Sequence, residues 1–212
     1  MGDESVIHSN IDRRAWAELI SAGISNAIYG LSKMINREIT IITLIPRSVD
    51  IKDVPYLFGG PKANVVGIHL RVTGSAEGQI LLVYDPKAAF ELLDIMMGEP
   101  PGTTQNLGEL EQSGLGEIGN IMGGYFLNAL AASTGLQFLP SPPVVMMSMA
   151  EPILNIALSQ IQQTSGESWI VESTFGTNGY KTNGTFLVLP NPEFLYVLTA
   201  AWYSKRLTSN VA

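Results

Sequence analysis

The segment Gly78-Gln-Ile-Leu-Leu-Val-Tyr-Asp-Pro86 returns 106 residues later as Gly184-Thr-Phe-Leu-Val-Leu-Pro-Asn-Pro192. Both read as a strand feeding a helix, with Asp85 or Asn191 as the N-cap and a proline at the first helical position. The echo is not isolated. Glu18 and Glu117 stand 99 apart on two long segments with apolar stripes, so the halves align once about seven residues are inserted in the second. Duplication is the economical reading. Each half has too few strands to close a core alone, so the halves are expected to share a sheet and to set their long helices side by side. The expected fold is α/β (α+β). It is one domain over residues 1–212, made of two pseudo-symmetric repeats at about 11–98 and 107–205 and joined by the turn Gly98-Glu-Pro-Pro-Gly102.

The first half opens with Trp16, Leu19, Ile20, Gly23, Ala27, Leu31 and Met34 at intervals of three and four, which predicts an amphipathic helix over 11–35. A strand over 38–45 is expected to stop at Pro46, and Pro55, Gly59, Gly60 and Pro61 mark a loop. Val66, Ile68, Leu70 and Val72 alternate, so 65–73 reads as a strand with those four on one face. Gly74 to Gly78 is a hairpin turn, 79–84 its second strand, and a helix runs from Asp85 to Met97. The second half gives a helix over 108–133, one strand over 136–147, a helix over 151–163 and a strand over 169–175. Asn178-Gly179 and Asn183-Gly184 are its turns.

Composition narrows the functions. A formal charge of −7 argues against a nucleic-acid surface and favours partners with basic faces. Cysteine is absent, which removes disulfides, thiolate zinc sites and cysteine nucleophiles. His8 and His69, the only histidines, lack ligand spacing and read as structural. Met1 to Asn10 has no apolar core, no uninterrupted apolar stretch reaches membrane-spanning length, and the strongly apolar Val144 to Met149 is too short to cross a bilayer. The expectation is a cytoplasmic protein with no membrane partner.

The chemistry-bearing residues are Ser113, Glu117 and Asn120, which offsets of four and three place on one stripe of the second long helix. An ionised Glu only accepts hydrogen bonds and an Asn amide does both, so the pair can hold a cation and orient a water, though neither is a useful nucleophile. One such stripe by itself reads more readily as a solvated face. Gly114-Leu-Gly116-Glu-Ile-Gly119 matches the dinucleotide fingerprint by letter, but no strand precedes it and no ribose-binding acid follows before Glu151. Its glycines instead suit close approach of a backbone, from the paired helix or from a docked partner. Glu109 and Glu111 suit the helix macrodipole.

The full pattern, Ser113, then Glu117, Asn120 and, 22 residues further, Pro143, resembles the signature of the CheC family of chemotaxis phosphatases. Glu-Ile-Gly-Asn-Ile-Met-Gly-Gly at 117–124 looks like the second active helix of that family, and the stretch from Ser25-Asn26-Ala27 through Met34 is similar to the first. The resemblance extends from about Ile11 to Lys205. It implies an enzyme that removes the phosphoryl group from the aspartate of a CheY-like receiver domain, with Glu117 docking a basic receiver side chain and Asn120 orienting the attacking water. Ser113 and Pro143 are supporting positions, Pro143 ending or bending a strand. No cofactor is implied for this chain, since the magnesium belongs to the receiver. CheD is a further partner that the family implies. The alternative is a non-catalytic interaction module, a CheD-binding adaptor or a flagellar-switch relative, with the 151–163 helix as a surface. In the first stripe Arg14 and Ser21 replace the hydroxyl and the Asn, the proline position falls on Leu44, and only Glu18 survives. One working site is therefore expected.

Overall fold

A computed structural model describes residues 13–159, 167–177 and 184–209. The chain runs α1 (Arg13–Ile35), β1 (Ile39–Asp50), a 3-10 segment (Ile51–Phe58), β2 (Asn64–Gly74), β3 (Gly78–Tyr84) and α2 (Pro86–Met97). It continues α3 (Glu109–Thr134), β4 (Phe138–Pro140), β5 (Val144–Met149), α4 (Ala150–Leu158), β6 (Glu167–Thr177), β7 (Gly184–Pro190) and α5 (Pro192–Ser209).

β3 is apolar almost throughout and is buried along its whole length, as a strand covered on both faces must be. It lies between β2 and β7, all antiparallel, and β2 also pairs with β4 and β5 on its other side. Val66, Ile68, Leu70 and Val72 share one face of β2, where α2 and α3 cover them within a core that α1 and α5 also line. The opposite face carries Val65, Leu81, Val83, Leu187 and Leu189 under α4, whose Ala150, Ile153, Leu154 and Ala157 point at the sheet. The inner side of the expected partner helix is thus used in the core, and its exposed side shows Glu151, Asn155 and Ile156. Burying each large aliphatic side chain in these layers contributes about 1.5–3 kcal/mol.

The two halves are related by a pseudo-twofold axis that the sequence offsets locate. In an antiparallel pair lying on a dyad, the residue facing its own equivalent sits on the axis. Leu81 of β3 faces Leu187 of β7, which is 106 positions on (187 − 81). The side chain of Asn26 in α1 donates to the carbonyl of Tyr125 in α3, 99 positions on, at 2.6 Å. Both spacings are those of the repeat. The outer ladders repeat the same order: the β1–β6 ends Ile39↔Thr177 and Asp50↔Glu167 stand where Phe138↔Gly74 and Met149↔Asn64 stand, at spacings of 99 for β1 and 103 for β6. β1 and β6 form the other outer ladder, and β6 lies beside β7 as β2 lies beside β3.

Four expectations are corrected. β1 does not stop at Pro46 but continues to Asp50, with Pro46 opposite Val171. Among the described residues β1 pairs only with β6, and a strand bonded on one side tolerates a residue without an N–H. The single strand expected over 136–147 is broken into β4 and β5 by Ser141, Pro142 and Pro143. Part of the loop around Pro55 is the 3-10 segment, whose N-cap Asp50 accepts from the Lys52 amide. The 151–163 helix is α4, ending at Leu158, and residues 160–163 lie outside the described residues, as do Asn178-Gly179, Asn183, His8 and the first ten residues.

The caps follow the sequence. Asp85 Oδ1 accepts from the Lys87 amide at 2.9 Å, and Asn191 Oδ1 accepts from the Phe194 amide at 2.6 Å. The linker after α2 is held by Asp94, a buried carboxylate that accepts from the amides of Gly102, Thr103 and Thr104 at 2.7, 3.1 and 2.9 Å. Burial pushes the Asp94 pKa up, but the hydrogen bonds from Thr104, Gly102 and Thr103 outweigh it and hold the group below its ordinary value. No helix of the described residues is long and apolar enough to cross a membrane.

Candidate functional site

α3 begins at Gly108, whose amide donates to Glu111 Oε2 at 3.0 Å, so Glu111 reaches back to close the first turn. From there three glycines let the helix sink onto its neighbours. A methyl placed at Gly114 would sit 2.7 Å from Leu93 and Met96 of α2, one at Gly119 2.6 Å from Ile68 Cγ2, and one at Gly123 3.0 Å from Leu70 Cδ2. The corresponding positions of α1 are Ala15, Ile20 and Ile24, so the close approach that these glycines allow α3 is not repeated by glycine in α1. The fingerprint-like glycines thus sit within a helix and pack against an adjacent helix and strand.

Pro143 completes this seat. Its ring lies 3.3–3.4 Å from where a Gly119 methyl would be, so it braces the backbone immediately before Asn120. The strand break that puts it there leaves no orphaned donor at Arg71. Arg71 N–H donates to Ser141 Oγ at 3.0 Å, and Ser141 N–H donates to the Arg71 carbonyl at 2.8 Å. Pro143 therefore bends the strand, as expected, and also touches the helix that carries the site.

Ser113, Glu117 and Asn120 emerge on the exposed side of this clamped helix. Asn120 Nδ2 donates to Glu117 Oε2 at 3.4 Å, a long and weak bond that water or a partner can replace. The structure therefore brings together the carboxylate and carboxamide that the sequence singled out, with Ser113 one turn before them. Among the described residues no Lys or Arg forms an ion pair with Glu117, so its carboxylate is available to a cation from outside.

The first stripe is different in kind. Glu18 Oε1 is bound by Arg14 Nε at 3.2 Å, and Glu18 Oε2 by Arg206 Nη1 at 3.1 Å. The Arg206 guanidinium also lies 4.1 Å from the centroid of the Trp202 ring. Ser21 is half-buried, and a cleft of about 280 Å³ between Arg14, Trp202, Tyr203, Arg206 and Leu207 lies beside the stripe. Arg206 was not foreseen, because nothing in a linear pattern tells that α5 crosses α1. His69, the other residue singled out, is buried and shares a 2.7 Å hydrogen bond with Gln79. Burial lowers its pKa, so it remains a neutral core residue.

Comparison with known proteins brings in names at this point. A model of the CheC-like family matches residues 110–147, a span containing Ser113, Glu117, Asn120 and Pro143. The chain is 26% identical over 159 residues to CheY-P phosphatase CheC of Bacillus subtilis, covering 74% of this chain and 76% of that protein. Among solved structures it is similar to FliY of Thermotoga maritima, with a TM-score of 0.69 at 23% identity over 89% of this chain and 94% of that one. A chain of the CheX-CheY-BeF3-Mg2+ complex from Borrelia burgdorferi gives a TM-score of 0.54 at 19% identity, covering 85% and 98%. At such identities these two structures speak for the fold.

Proposed function

We infer that this chain, which belongs to the CheC-like family, is a phosphatase for the phosphoryl-aspartate of a CheY-like response regulator. The observation that carries the reading is the pairing of an exposed carboxylate and an exposed carboxamide, 3.4 Å apart, on a helix fixed from beneath. The name of the Bacillus subtilis relative and the CheX–CheY complex of the same fold support it.

Phosphoryl transfer passes through a loose transition state, so alignment and charge stabilisation do most of the work. A neutral amide suits that task. With Nδ2 turned toward Glu117, the Oδ1 of Asn120 is left to accept a water proton and aim the water oxygen at phosphorus. No second negative charge is added beside the phosphoryl oxygens. Glu117 would dock a basic side chain of the receiver, which exchanges a weak internal bond for a charged one. Magnesium, in this reading, arrives with the receiver as part of the substrate. Ser21 has too short a reach to repeat the role of Asn120, and Glu18 is already neutralised by two arginines.

Two variants separate the roles. Glu117→Gln should raise KM about 10-fold or more with a smaller effect on kcat, since it weakens docking. Asn120→Ala should lower kcat by roughly 100-fold or more, the loss seen when a positioned hydrogen-bonding group is removed. A wild-type protein that leaves the decay of the phosphorylated receiver unchanged overturns the reading and leaves the non-catalytic interaction module.

A further inference from the structure

α3 holds five glycines, and what lies beneath it accounts for three of them. The other two, Gly116 and Gly124, face outward. The nearest atom to a methyl at Gly116 would be Val145 Cγ2 at 4.0 Å, and nothing lies within 4 Å of one at Gly124. Glycine inside a helix costs stability relative to alanine, so both positions weaken α3 with no packing need within the described residues. Their spacing is informative. Each stands four residues from Asn120, one before and one after, so the three form a single line along the exposed side. In α1 the residues 99 earlier are Ala17, Ser21 and Ser25. The bare line occurs on the helix that has the Asn and not on the one that lost it.

We propose that Gly116 and Gly124 are positioning residues, keeping α3 bare on either side of Asn120 so that the backbone of the phosphorylated receiver lies directly against the helix. The inference rests on the phosphatase reading and names how its substrate seats. An Asn side chain is short, and side chains flanking it on the same line would hold a protein partner away from the amide. An aspartyl phosphate recessed in a receiver pocket is reached only if the rim of that pocket comes down onto the helix surface. A protein footprint of about 800 Å² must extend beyond this line. The adjoining surface suits it, because Val145 borders Gly116 and Met147, on the same face of β5, is 49% exposed.

The test uses Gly116→Ala and Gly124→Ala in the full chain, each compared with wild type in urea denaturation, in dephosphorylation of a phosphorylated CheY-like receiver, and in binding of that receiver in its beryllofluoride form. Both variants should be at least as stable as wild type, while KM and the Kd of the beryllofluoride receiver each rise 10-fold or more. Variants that gain stability with KM and Kd unchanged overturn the proposal. So does a shift in oligomeric state with KM unchanged, which would assign the bare line to a second copy of this chain. If wild type binds the beryllofluoride receiver in a glycine-dependent way but does not hasten decay, the docking role stands and the phosphatase reading falls. If it does neither, both fall.

Discussion

Gly119→Ala tests whether the depth at which α3 lies on the sheet is what fixes the site. The new methyl would stand 2.6 Å from Ile68 Cγ2 and 3.3 Å from Pro143 Cβ. Carbon atoms pack best at about 3.5–4.0 Å, so the shortfall toward Ile68 is roughly 1 Å. Ile68 is fully buried on β2, which has strands bonded on both sides, and it has no room to withdraw. The helix must rise or Ile68 must leave its rotamer, at a cost of about 1–3 kcal/mol. Against this stands a gain of about 1 kcal/mol from replacing a helical glycine by alanine. Gly124→Ala receives the same gain without the clash, so the difference between the two variants isolates the packing term. Urea denaturation at constant m-value should place Gly119→Ala about 1–3 kcal/mol below Gly124→Ala. In an Ile68→Ala background, where Cγ2 is gone, that gap should shrink by 1 kcal/mol or more in a double-mutant cycle. Because a shift of about 1 Å at a catalytic group can cost 100-fold in rate, Gly119→Ala should also lose phosphatase activity. Equal stability of the two variants would refute the claim that Gly119 sets the height of the helix.

Asp94→Asn should destabilise the chain by about 2–4 kcal/mol, since an amide cannot accept three backbone hydrogen bonds through two oxygens as the carboxylate does. The folded pKa of Asp94 is lowered, so its stabilisation is complete above the ordinary value of 3.8 and is lost as pH falls through the folded value. Denaturation midpoints measured from pH 5 to pH 2 should fall more steeply for wild type than for Asp94→Asn. Burial also holds the His69 pKa below its ordinary value of 6.5, which makes the unfolded chain the better proton acceptor. Stability should therefore decline as pH drops below about 6.5, and His69→Gln should remove that part of the slope. Ser21→Ala should leave receiver dephosphorylation within about twofold of wild type, a result that an active first site would contradict.

Periodicity and caps made the helices and the central hairpin legible, because each rests on local rules that residues such as Asp85 and Val66 obey without distant help. The dyad was legible in the two spacings, which the Leu81–Leu187 and Asn26–Tyr125 contacts turn into points on one axis. What local rules miss is context. Pro46 continues a strand because β1 is bonded on one side only, a fact that depends on β6 in the other half. Pro142 and Pro143 break the other strand where β1 has Thr43 and Leu44, and Ser141 satisfies Arg71 across the gap. Spacing alone aligned Ser113, Glu117 and Asn120, and the structure adds what holds them and the two arginines that pair with Glu18 in their counterpart. Arg206, reaching Glu18 from α5, and the division of the α3 glycines into buried and bare required three dimensions.

The central claim is that Asn120 orients water for hydrolysis of a receiver's aspartyl phosphate. The direct measurement is the half-life of a phosphorylated CheY-like receiver alone, with wild-type protein, and with an equal amount of folded Asn120→Ala. Wild type should shorten the half-life, and Asn120→Ala should leave it equal to that of the receiver alone. Equal acceleration by both proteins would contradict the claim.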